Sequence, residues 1–323
     1  MRLTKTEKEF YRRLRDQPRE RKPSNADVRR SAEDKELPRT GSGFKDIAGM
    51  QELKTLMTES FINVLRHRKK AEMYGIKPPS CLLWGPSGCG KSFFIEKLGD
   101  EVGLPLIRIN PDDLASPYVH GTQEKIAKVF QEAEAKAPVI LFFDEFEAMV
   151  PVRSDNESNL SFNAEVDEFL CMLNNASDRG IYIMAATNHP ERIDRSVLRT
   201  GRIDEMIYID MPDVEARKSL FLNALSKLPK DVNIDIDRLA ALTAGYNCSD
   251  ICYIVKTAAR MMFNRSIEHG EDRCFPIGQD VLEEAILKRR PSVSTKDLRQ
   301  FERIREELMP GCKAGRKRNI GYV

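Results

Sequence analysis

The sequence predicts an α/β fold: a parallel sheet of about five strands with helices on both faces, followed by a small all-helical domain. Three observations predict it. From Phe44 to Pro212, short β-branched or aromatic runs alternate with longer helical stretches. Several of those runs are apolar at consecutive positions, which marks central strands covered on both faces. After Pro212 the strand signals stop and amphipathic stretches follow, separated by Gly, Pro and Asn.

Residues 1–40 carry 13 Lys or Arg against 8 Asp or Glu, with prolines at 18, 23 and 38, and read as a basic, solvated arm. Leu3, Phe10, Tyr11 and Leu14 would line one short helix within it. The strands fall at Cys81–Trp84, Leu106–Ile109, Val139–Phe143, Ile181–Ala186 and Met206–Ile209. Helical stretches at 213–228, 235–244, 249–268 and 279–289 then form a small domain. The expected organisation is an arm (1–40), a large α/β unit (41–212), a helical unit (213–290), and a C-terminal helix with a basic tail (291–323). From Pro310 onward, Gly311 and Gly315 with Lys313, Arg316, Lys317 and Arg318 predict a tail without structure of its own.

Composition excludes several classes. With 52 basic and 50 acidic residues the net charge is +2, so no global field favours nucleic acid or an anionic membrane. The longest apolar run, Val139 to Phe143, is far short of the roughly 20 residues needed to span a bilayer. The N-terminus also lacks the apolar core of a secretory signal, so a cytoplasmic protein is expected. Seven scattered cysteines without a CxxC pair, and only four histidines, form neither a zinc site nor a disulfide framework.

The chemistry concentrates at Gly85-Pro86-Ser87-Gly88-Cys89-Gly90-Lys91-Ser92, which satisfies GxxxxGK[ST] between a strand and a helix that begins near Lys91. Its glycines let successive N–H groups face phosphate oxygens, and the helix N-terminus adds positive potential. Lys91 reaches the outer phosphates and the Ser92 hydroxyl ligates Mg²⁺. This is the P-loop NTPase arrangement. Asp144 and Glu145 follow the apolar strand Val139–Phe143, at the carboxyl edge where such sheets place ligands. Asp144 would hold Mg²⁺ through water, and Glu145 would orient the water that attacks the γ-phosphate. The strand Ile181–Ala186 leads through Thr187 to Asn188, which suits either a bond to that water or phosphate, or a turn before Pro190.

In this order the three motifs resemble the AAA ATPase family, and the likeness extends from residue 44 to about 308. It implies an ATP-hydrolysing motor with a helical lid, working as a homo-oligomer, most often a hexamer. The segment Phe44-Lys45-Asp46-Ile47-Ala48-Gly49 is similar to the one that packs on adenine, with Ile47 and the Ala48 backbone in contact. The resemblance also places Phe93, the residue after Ser92, at the nucleotide. Leu198 to Asp204 resembles the region whose arginine, here Arg202, reaches the neighbouring subunit's nucleotide. Glu205 stands where many relatives carry a second arginine, which leaves Arg199 a neighbouring cation without an assigned role. Thr243 to Ile251 resembles the start of the lid helix over ribose and adenine, with Cys248 and Ser249 at the nucleotide and Cys248 in place of the usual glycine. Within the family, Pro291-Ser292-Val293-Ser294 before a charged helix is most similar to segregases of the valosin-containing-protein, spastin and Vps type.

The resemblance implies that Tyr118 and Val119 project into a central pore and grip a polypeptide, so that proteins are remodelled, unfolded or disassembled by threading. The alternative is that Tyr118 packs on its own domain. The polar segment 153–159 reads as a second pore loop or as a solvated loop, and His120 as an exposed loop residue. The penultimate Tyr322 resembles tails that dock on a separate protease, although Gly321 stands where a large apolar residue is usual. An adaptor is a further expected partner, and nucleic acid is not expected. The rival reading is an ATP-dependent assembly switch or scaffold that threads nothing.

Overall fold

The computed structural model describes residues 41–115, 121–152, 160–268, 275–308 and 320–322. The basic arm 1–40 with its expected helix, Tyr118 and Val119 of the expected pore loop with His120, the segment 153–159 and the basic tail residues Lys313 to Arg318 lie outside the described residues.

A 3-10 turn (Gly43–Asp46) leads into α1 (Gln51–Met57), which continues through a π turn (Thr58–Ile62) into α2 (Asn63–Arg66) and then α3 (Arg68–Met73). The α/β unit follows as β1 (Cys81–Trp84), α4 (Lys91–Val102), β2 (Leu106–Ile109), α5 (Pro111–Leu114), α6 (Gly121–Ala135), β3 (Val139–Phe143), α7 (Leu160–Leu173), β4 (Ile181–Thr187) and β5 (Glu205–Tyr208). Helices α8 (Val214–Leu225), α9 (Ile236–Leu242), α10 (Cys248–Glu268) and α11 (Gln279–Leu287) form the second layer, and α12 (Thr295–Leu308) and β6 (Ile320–Tyr322) end the described chain. Asp213 and Asp235 cap α8 and α9 by accepting the N–H of Ala216 and of Arg238, which satisfies donors that a helix start leaves open.

The strands lie in the order β2-β3-β4-β1-β5-β6. The first five are parallel, as the consecutive apolar runs predict, whereas β6 is antiparallel to β5 through Glu205↔Tyr322, Met206↔Gly321 and Ile207↔Ile320. Two expectations are corrected here. Strand β5 begins at Glu205 rather than Met206, because the Glu205 backbone pairs with Cys81 despite its charged side chain. The end of the tail also adds a strand, since the outer edge of β5 offers backbone groups that an extended segment can pair.

Alternate residues of each strand feed two cores. Trp84, Leu141, Phe143 and Ile183 face Phe130 of α6 and Phe169 of α7, while Leu83, Ile140, Phe142 and Met184 face Phe61 and Phe94. The Phe143 and Phe169 rings meet edge-on at 5.0 Å. A third core, around Phe221, Leu239, Ile251, Ile254 and Leu282, binds the four helices of the second layer. Helix α12 then returns to the first core through Phe301, Ile304 and Leu308, with the Arg305 guanidinium 5.0 Å from the Tyr208 ring centre. Among the described residues no helix is long and apolar enough to cross a membrane.

Phe143 touches Phe130, Phe146 and Phe169, so Phe143→Ala removes the centre of a dry aromatic cluster. The expected loss is about 3–5 kcal/mol, read in urea unfolding as a lower midpoint at unchanged slope.

Candidate functional site

Parallel pairing brings the carboxyl ends of β1, β3 and β4 to one edge, in the registers Trp84↔Thr187 and Phe143↔Ala185. At that edge β1 runs into the glycine loop. Gly85 has φ +144, and a Cβ there would lie 2.2 Å from the Ile209 carbonyl oxygen. Gly88 has φ +74, and a Cβ there would meet Asn247 Nδ2 at 2.5 Å. Both positions need glycine, for backbone conformation as well as for space.

Lys91 opens α4 and is buried, and its Nζ donates to the Gly85 and Pro86 carbonyls at 2.8 Å each. Burial pushes its ammonium down to about 8, against the opposing pull of Asp144 and Glu147. The Ser92 hydroxyl donates to Asp144 Oδ2 at 2.9 Å, so the first turn of α4 meets the end of β3 across the intervening strand β4. The Asp144 N–H is tied to the Ile109 carbonyl at 3.1 Å, which fixes the carboxylate's base. Hard oxygen donors of this kind suit Mg²⁺, which takes one or two protein oxygens and completes its shell with water and phosphate. Among the described residues no group of three or more His, Cys, Asp or Glu is placed to hold a metal ion.

Glu145 is exposed and sits in the left-handed region at φ 51, ψ 48, a conformation costing a non-glycine residue about 1–3 kcal/mol. The turn follows directly on Asp144, which stands one residue beyond the end of β3. Asn188 is half-buried just past β4, and its side chain makes no hydrogen bond among the described residues. Beside it, Thr187 donates to Glu147 Oε2 at 2.6 Å and accepts the His189 N–H at 2.9 Å.

The helical layer closes on the loop from the other side. Asn247 Nδ2 donates to the Ser87 carbonyl at 3.0 Å, the Ser249 N–H to the Gly88 carbonyl at 3.1 Å, and the Cys248 thiol to the Cys89 carbonyl at 3.6 Å. Burial pushes the Cys89 and Cys248 thiols up to about 12, so both stay protonated and unreactive at neutral pH. The buried carboxylate of Asp250 accepts from the Arg289 guanidinium and from Ser292. Burial alone would raise this carboxyl; the bonds from Ser292 and Arg289 outweigh it and hold the group below its ordinary value. In the segment before α1 Ile47 is buried, Ala48 is half-buried and Met50 Cε approaches Gly90. Phe93 is exposed, with Lys97 Nζ 5.7 Å from its ring centre.

Arg202 is half-buried and donates to Asn174 Oδ1 at 2.9 Å and to the Ser196 carbonyl at 2.8 Å. Arg199 is exposed, with no side-chain partner among the described residues. Position 205 lies inside β5 and is 6% exposed. Glu205 is thus a buried carboxyl, which burial raises above its ordinary value.

Four contributors escape sequence reading. Arg108 of β2 donates to Asp144 Oδ2 at 2.6 Å and to Glu96 at 2.8 Å, and its only sequence signal is a cation inside an apolar strand. Glu147 bonds Thr187, Asn247 holds the glycine loop, and Asp204 accepts the N–H of Ser80 and of Gly201. Apart from Gly201, three residues before Asp204, these partners are remote in sequence and follow no local period.

Residues 81–211 match the family described as ATPase family associated with various cellular activities (AAA), and residues 233–276 match the AAA+ lid domain, together more than half of the chain. The chain is 32% identical over 231 residues to ATPase family gene 2 protein homolog A of Homo sapiens, covering 70% of this chain and 26% of that protein. It is 32% identical over 227 residues to Protein SAV of Sulfolobus acidocaldarius, covering 70% of this chain and 29% of that protein. A Dictyostelium discoideum protein provisionally named ribosome biogenesis ATPase nvl is 28% identical over 271 residues, covering 82% of this chain and 31% of that protein. The chain thus spans about a third of the length of these relatives. It belongs to the AAA ATPase family, with an AAA domain followed by a lid domain.

If the Lys91 ammonium grips phosphate, inorganic tripolyphosphate binding is level below about pH 7. It then weakens by up to about tenfold per pH unit once pH passes about 8, where the free lysine loses its proton. Calorimetric titration from about pH 6.5 to 9.5 checks this, and a level profile would contradict the role given to Lys91.

Proposed function

We propose that this AAA ATPase binds ATP at the edge formed by β1, β3 and β4, hydrolyses it with Mg²⁺, and uses the cycle to remodel protein substrates as a ring of identical copies. The observation that carries the reading is the Ser92–Asp144 contact beside a three-glycine loop, with Glu145 next in sequence in a left-handed turn.

Each residue has a task in this reading. The N–H groups of the loop from Gly85 through Pro86, Ser87, Gly88 and Cys89 to Gly90 cradle the phosphates, and Lys91 exchanges the Gly85 and Pro86 carbonyls for phosphate oxygen. Ser92 and Asp144 hold Mg²⁺, which when bound neutralises charge on the β- and γ-phosphates. Glu145 orients and polarises the attacking water, and the free amide of Asn188 bonds that water or the γ-phosphate. Ile47, Ala48, Phe93, Cys248 and Ser249 line the nucleoside side. Arg202, joined by the exposed Arg199, stabilises developing charge at a neighbouring copy's nucleotide, a contribution worth about a thousandfold or more in rate. Tyr118 and Val119 grip the polypeptide in the pore, most consistently in a hexamer, with an adaptor or separate protease as further partners. The name of the Dictyostelium relative makes ribosome-assembly proteins the first substrates to try.

Glu145→Gln keeps shape and ATP affinity but removes the carboxylate that polarises water, so turnover is expected to fall by roughly a hundredfold or more. Steady-state phosphate release beside ATP titration measures both; turnover within a few-fold of wild type would remove Glu145 from the role.

A further inference from the structure

The segment from the 3-10 turn to α1 is held by contacts along its length. The Phe44 ring lies 5.3 Å from that of Phe94, and the Phe44 N–H donates to Glu101. The Asp46 carboxylate pairs with Lys97 at 2.9 Å, and its carbonyl accepts from Asn223 of α8. Gly49 packs so closely on α8 that a Cβ there would lie 2.7 Å from Ala216 Cβ. The Ile47 carbonyl is held by Lys54 Nζ at 2.7 Å.

Lys54 stands apart among these contacts. It is half-buried, burial lowers its pKa, and it has no carboxylate partner among the described residues. A lysine that gives up solvation without a counter-charge loses free energy, whereas an exposed one contacts water at no cost. What the ammonium holds is one side of the peptide unit between Ile47 and Ala48. That unit is planar and trans, so the Ala48 N–H points away from the Ile47 carbonyl and hence away from Lys54. The Ala48 N–H has no partner among the described residues.

We propose that Lys54 is a positioning residue for base selectivity. By gripping the Ile47 carbonyl it locks the peptide plane so that the Ala48 N–H is presented to the base. A fixed donor there suits the N1 acceptor of adenine and opposes the N1–H donor of guanine. The proposal rests on the reading that Ile47 and Ala48 face the nucleoside. It extends that reading to a residue seven positions away that touches no nucleotide.

The test measures affinity for ATP, GTP and inorganic tripolyphosphate, each with Mg²⁺, in wild type, Lys54→Met and Lys54→Arg, with thermal melting to verify folding. Lys54→Met keeps the apolar stem and loses the donor, while Lys54→Arg keeps a donor. In wild type ATP binds more tightly than GTP. Lys54→Met weakens ATP by about tenfold and narrows its advantage over GTP, tripolyphosphate is unchanged, and Lys54→Arg recovers most of the loss. An undiminished preference for ATP in Lys54→Met overturns the proposal while leaving the nucleotide site intact, and so does an equal loss for all three ligands. A wild type that binds none of the three overturns the ATPase reading itself.

Discussion

A single hydroxyl-to-carboxylate contact, Ser92 to Asp144, organises the site. It joins the helix after β1 to the end of β3, and these strands are not neighbours, because β4 lies between them. The contact forms only because all three strands run parallel and stop at one edge. A slip of one residue in β3 would turn Phe143 and its neighbours to the opposite face and exchange the two cores. The apolar content of β3, buried throughout, therefore fixes where the charges stand. The polar chemistry follows from the apolar register.

The same edge carries the coupling to the lid. Asn247 and Ser249 bond carbonyls of the glycine loop, and Gly88 must be glycine partly because Asn247 occupies the space a side chain would take. Asp250, three residues further on, anchors the start of α10 to Arg289 and Ser292, just before α12. Helix α12 in turn lies on the core beneath β5. Loop, lid and C-terminal helix are therefore mechanically connected within one chain. The glycine loop and the lid touch through the Asn247–Ser87 and Ser249–Gly88 hydrogen bonds.

Much of this was legible in the sequence, for physical reasons. Buried parallel strands are apolar at consecutive positions, so β1, β2 and β3 are located to the residue, β4 to within one residue at its end and β5 to within one residue at each end. The glycine loop and Asp144 are legible as motifs, and the structure brings Ser92, at the end of the loop motif, to Asp144. Polar pairs between distant segments are not: Arg108 with Asp144 and Asn247 with Ser87 leave no period in the chain. Strand β6 has three residues, one of them glycine, and is too short to carry a pattern. The charged Glu205 hides the start of β5, because its backbone pairs with Cys81 while its side chain gives no apolar signal.

The most direct measurement is turnover of saturating ATP as magnesium is titrated, in wild type and in Asp144→Ala. If Asp144 helps hold the cation, wild-type turnover rises with magnesium and saturates. The variant then binds ATP but releases almost no phosphate at any magnesium concentration. Turnover in Asp144→Ala with the wild-type magnesium dependence would contradict the assignment of the Ser92–Asp144 edge as the metal end of an ATP site.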